Sequence, residues 1–139
     1  AAELAAKEAT TVFVAAITEM SVADGFAILR GDSVAATSFL RKTTEARLTE
    51  KFADIIGEKM DEVQLTSYWE PLAKAYNTTT LFSGNQAVNP NLQAYVTEKA
   101  LNGLFYYVAL EEQNIRKNPQ ARVTDLLLRV FGSPDNAWK

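Results

Sequence analysis

The chain has 139 residues, a net charge of −3, and neither cysteine nor histidine. That length suits one domain. The missing cysteine excludes disulfides, thiolate metal sites and cysteine nucleophiles, and the missing histidine excludes serine–histidine triads and zinc hydrolase sites. No run of basic residues favours a nucleic acid or an anionic membrane, and no apolar run reaches the ~18 to 20 residues of a membrane span.

Residues 1–19 are rich in alanine and lack glycine and proline. Ala9, Val12, Phe13, Ala16, Ile17 and Met20 recur at steps of three and four, so one face of a helix is expected to be buried there. Ser21 with Asp24 three residues later reads as a capping box for a short second helix ending near Arg30-Gly31. Asp32 is placed to cap the longest periodic segment, whose stripe is Ala36, Leu40, Leu48, Phe52, Ile55, Ile56, Met60 and Val63. A break between Thr49 and Gly57 is expected, because an unbroken helix over 33–63 is long for a small domain, and Thr43-Thr44 is a further weak point.

Thr66 or Ser67 is placed to cap a helix through Tyr76, with Trp69, Leu72, Ala73 and Tyr76 inward and Pro71 disturbing its start. The segment 77–90, NTTTLFSGNQAVNP, reads as a loop pinned by Leu81 and Phe82. Next comes ALNGLFYYVAL at 100–110, apolar nearly all round, which predicts a helix through the middle of the fold. Gly103 costs helix stability and is tolerated most easily where another backbone comes close. Asn118-Pro119 separates this helix from a shorter one that runs through TDLLLRVF to Gly132.

Two blocks also carry a resemblance. They are YVTEKALNGLF (95–105) followed by EEQNIRKNPQARVTDLLLRVFG (111–132), and GDSVAATSFLRKTTEARLTEKF (31–52) upstream. The chain resembles, over nearly its whole length, the bacterial domain-of-unknown-function family 4197. That resemblance implies an all-helical, exported protein, periplasmic or secreted, with an export signal and further helical sequence ahead of the matched region. It implies no reaction. Residues 1–139 are accordingly expected to form a single helical domain whose N-terminal segment continues upstream.

The densest charged group is Glu111, Glu112, Arg116, Arg122 and Asp125. Glu112 precedes Arg116 by four residues, the favourable order for a helix ion pair. If the chain folds back at Asn118-Pro119, these charges converge and lock the corner between two helices. The alternative use is an anion held by Arg116 and Arg122, with Arg41 joining unless it pairs with Glu45. Asp54, Glu58, Asp61 and Glu62 read as a solvated acidic face rather than a calcium site. Phe105, Tyr106 and Tyr107 read as core, with the tyrosine hydroxyls seeking partners such as Asn102.

The expected fold is all-α, a bundle of about five to seven helices around the apolar helix at about 91–118. The expected function is non-catalytic: a helical domain of the bacterial envelope that binds a protein partner or assembles with itself. No catalytic residue, metal or cofactor is expected, nor a nucleic acid partner. The alternative is a small-molecule or anion-binding protein with a pocket near Arg116, Tyr106 and Tyr107.

Overall fold

A computed structural model describes residues 1–135. The fold is an all-α helical bundle with six α-helices and no strand among the described residues. The helices are α1 (Ala2–Thr18), α2 (Val22–Arg30), α3 (Ala35–Val63), α4 (Thr66–Ser83), α5 (Leu92–Lys117) and α6 (Asp125–Phe131), with a 3-10 turn at Pro119–Ala121. The contacts group into two compact units, one from Ala1–Thr10 and Ala46–Leu101, the other from Thr11–Glu45 and Asn102 onward. Helices α1, α3 and α5 contribute residues to both.

In the first unit the buried apolar side chains are Ala9, Leu48, Phe52, Ile55, Met60, Ala73, Leu92 and Leu101. The expected break in α3 is absent: its 29 residues run continuously. Gly57, instead of ending the helix, makes room for a neighbour. A Cβ at Gly57 would lie 2.7 Å from the Gln93 amide nitrogen, which donates 2.7 Å to the Ala53 carbonyl. The glycine therefore admits a side chain of α5 against the backbone of α3.

Helix α4 begins without a side-chain cap, contrary to the expected role of Thr66 or Ser67. Its N-cap position is Leu65, and the turn before it holds Gln64 at a φ of 51°. The helix then continues through half of the expected loop, to Ser83. Thr78, Thr79 and Thr80 satisfy their hydroxyls on the carbonyls of Lys74, Tyr76 and Asn77, so the threonine run stays helical. Gly84, at a φ of 70°, ends it in the left-handed conformation that glycine adopts freely. The loop that follows is not pinned by Leu81 and Phe82, which are exposed. Asn77 holds it with two bonds, to the Val88 carbonyl at 2.7 Å and from the Val88 amide at 2.8 Å, and Trp69 donates 3.1 Å to the Asn89 carbonyl.

Among its described residues the second unit buries few apolar side chains, Val12, Ala16 and Phe105, the last packed at a 53° tilt against Phe13 with ring centres 6.0 Å apart. Ile17, expected inward, is exposed. The Ser21–Asp24 capping box forms as expected, with Ser21 donating its amide and hydroxyl to the Asp24 carboxylate at 3.1 and 2.6 Å. Those bonds hold the Asp24 carboxyl below the usual carboxylate range. The sign follows from linkage: the box contributes its full stability above the ordinary aspartate value and loses it as pH falls through the lowered folded value. Asp24→Asn should therefore flatten the acid limb of a melting-temperature profile. An acid limb identical to that of the parent would show the box contributes nothing.

Thr43 and Thr44 do not break α3, and their hydroxyls donate back to the Phe39 and Leu40 carbonyls. Helix α5 supplies core residues to both units, but its 100–110 segment is not buried all round, since Tyr106, Tyr107 and Leu110 are exposed. Gly103 likewise is not a close-approach glycine: a Cβ there meets nothing within 4 Å. Gly103→Ala is expected to stabilise the protein by about 1 kcal/mol, the helix-propensity difference alone. Urea titration checks this, and a destabilised variant would mean the position is crowded. Past Lys117 the chain makes the short 3-10 turn, with Asn118 accepting from the Gln120 amide. A separate α6, capped by Thr124, replaces the single expected helix after Pro119.

Candidate functional site: a buried ion lock at two helix ends

The charged group converges in the second unit, around the end of α5. The Arg116 side chain is 0% exposed, and its guanidinium pairs with the almost fully buried Glu112 carboxylate at 2.8 Å. Both have a second set of partners. Glu112 accepts from the amides of Ala36 and Thr37, each at 2.8 Å, and from the Thr37 hydroxyl at 2.6 Å. These amides lie in the first turn of α3, where no intrahelical acceptor exists for them. Arg116 donates to the carbonyls of Ile28 at 2.8 Å and Leu29 at 3.3 Å, in the last turn of α2. A carboxylate thus sits at a helix N-terminus and a guanidinium at a helix C-terminus, each matched in sign to the helix dipole it meets.

Arg122 performs a third closure. It donates to the carbonyls of Ile115 and Arg116 at 2.9 Å, satisfying the last turn of α5 after the chain reverses at Pro119. The Phe131 ring of α6 covers Arg116, its centre 5.5 Å from the guanidinium carbon. No buried side-chain nitrogen or oxygen lacks a partner among the described residues. Isolated charges in such a place would cost several kcal/mol each, and only this density of bonds makes the burial tolerable.

The other predicted members stand apart. Arg41 donates to Glu45 at 2.9 Å and to Asn102 at 2.7 Å, and lies over the Phe105 ring. Glu111 is exposed, and Asp125 is an exposed acid in the first turn of α6. Thr37 was not signalled by any local pattern, because the acid that caps α3 lies 75 residues further along the chain. Tyr106 and Tyr107 are exposed and pack edge-on against each other at 5.6 Å, while Asn102 serves Arg41.

In the first unit, an open groove of about 950 Å³ is lined by Asp54, Glu58, Asp61, Glu70, Lys74 and Gln93 among others. Lys74 bonds Glu70 at 2.7 Å and holds its carboxyl below the usual range; Lys59 bonds Glu62 at 2.8 Å. Among the described residues no three acidic groups are placed to hold one metal ion. No single described helix is long and apolar enough to cross a membrane.

The fold and the lock define an all-helical protein whose buried charges serve helix ends. The family model described as protein of unknown function (DUF4197) matches residues 1–132, and the chain belongs to that family. No curated protein and no solved structure matches it.

Proposed function

We propose that this protein is a non-catalytic helical component of the bacterial envelope that works by binding a protein, either another chain or itself. The location rests on the family resemblance alone. The observation that carries the reading is the exposure of large apolar side chains within each unit, while the charges of the lock are all used internally. Tyr68, Leu72, Leu81 and Phe82 on α4 face solvent, as do Tyr106 and Tyr107 on α5 and Val123 and Leu126 after it. Tyr68, Leu72 and Phe82 share one face of α4 by their spacing, and an exposed apolar stripe of this kind marks an interaction site. The rival anion reading needs guanidinium donors free to meet a ligand, and those of Arg116 are directed at Glu112, Ile28 and Leu29.

Chemical cross-linking in the intact source cell, followed by mass spectrometry, tests the proposal. Stoichiometric links to one protein, or between copies, are expected. A link-free protein whose melting temperature rises saturably with phosphate or citrate, and loses that rise in Arg116→Met, would replace it with the anion reading.

A further inference from the structure

The exposed face of α4 has a register. Leu65, Tyr68, Leu72, Ala75, Thr79 and Phe82 alternate at steps of three and four, the a and d positions of successive heptads. All six are exposed: Leu65 by 50%, Tyr68 by 71%, Leu72 by 66% and Phe82 by 90%. The stripe is separate from the buried face of the same helix, which carries Ala73 and Thr80. Such spacing, running 18 residues from the N-cap, is that of a face on which a second helix can pack.

The order of side-chain sizes selects which helix. In an antiparallel pair, an a residue of one strand faces a d residue of the other. Two copies of α4 laid antiparallel place Leu65 opposite Phe82, Tyr68 opposite Thr79 and Leu72 opposite Ala75. In the two inner layers a large side chain meets a small one, the arrangement that fills a core without voids or clashes. A parallel pair would instead set Tyr68 on Tyr68 and leave holes at Ala75 and Thr79. The Thr79 hydroxyl already donates 2.7 Å to the Tyr76 carbonyl, so no unsatisfied donor enters the seam.

Charge and area agree. The flanking positions Pro71, Tyr76, Thr78 and Ser83 carry no charge, so identical copies meet no like-charge opposition, and a partner chosen by charge would find nothing to read. At ~200 Å² for a fully exposed aromatic, the seam offers on the order of 600 Å² per copy. Doubled, that is roughly 1,200 Å², the lower end of stable protein interfaces.

We propose that the chain self-associates through α4, its Leu65–Phe82 seam pairing antiparallel with the same seam of a second copy about a twofold axis. The inference rests on the protein-interaction reading and names its partner.

Sedimentation velocity on the whole chain over a hundredfold range of concentration is expected to show a monomer–dimer equilibrium. Leu72→Glu should weaken it by at least about tenfold, since it puts a charge in the central layer of the seam. The residue is exposed in the monomer, so circular dichroism and the melting point at low concentration should not change. Orientation is read separately, on a chain free of cysteine. Under mild oxidation, a mixture of Tyr68→Cys and Thr79→Cys chains should cross-link to each other, and neither should cross-link to itself. A monomer at all concentrations, or a dimer indifferent to Leu72→Glu, would overturn self-pairing. Disulfides within each single variant would overturn the antiparallel register. A monomer that still forms stoichiometric links to a different protein in the cell would remove this inference and leave the interaction reading standing.

Discussion

Arg116→Met is expected to lower stability by about 3 to 5 kcal/mol, the cost of leaving a buried carboxylate without its charge partner. The substitution also strips donors from the Ile28 and Leu29 carbonyls, so the loss should fall toward the upper end of that range. Glu112→Gln in the same chain should recover only part of it. Removing both charges relieves the electrostatic penalty. The glutamine, however, has one acceptor oxygen where the carboxylate used both, for the Ala36 and Thr37 amides and the Thr37 hydroxyl. Denaturant titrations of the two single variants and the double variant close the cycle and give the coupling directly. An Arg116→Met variant as stable as the parent would mean that the lock does not hold the fold.

Phe105→Ala is expected to cost about 3 to 5 kcal/mol by opening a cavity in a unit that has little other apolar core. Phe105 is buried against Phe13 and lies under Arg41, so its loss removes packing on two sides. Leu104→Ala, one position along, should cost distinctly less, since Leu104 is only half-buried. Urea unfolding of both separates them. Equal losses would show that α5 is enclosed on all sides, as the run of apolar residues at 100–110 suggests when read alone.

That contrast shows where sequence patterns inform and where they stop. Helix ends are legible at some local devices, such as Ser21 with Asp24 or Asn118 at the turn into Pro119, but not at Thr66 and Ser67, where α4 starts without a side-chain cap. The Glu112–Arg116 pair was legible because its spacing lies within one helix. What the pair does was not, since its other partners, Thr37 and the Ile28 carbonyl, lie 75 and 88 residues away. The threonine run after Asn77 misleads for a related reason. Threonine disfavours a helix only weakly, and here its hydroxyls find acceptors on the helix's own carbonyls, so the run stays helical. Gly57 and not Gly103 is the close-approach glycine, because a glycine's neighbours are set by packing and not by the residues beside it. The length of α3 argues for a break on size and on the weak helix formers Thr43 and Thr44, yet no proline stands within the helix and Gly57 is accommodated.

The second unit is assembled from residues 11–45 and from 102 onward, and the lock joins them. On the ribosome, the first turn of α3 emerges long before the acid that caps it. Roughly 75 residues must follow before Glu112 can reach Ala36 and Thr37, so the amides there are met by water, or by transient partners, during that interval. Contacts of such wide separation carry a loop-closure cost before they return anything, and they slow folding. Closure of this unit thereby waits on synthesis of the end of α5: truncation anywhere before Glu112 leaves both α2 and α3 without their end groups. The interval before closure is also when an unfinished chain is most open to capture by chaperones.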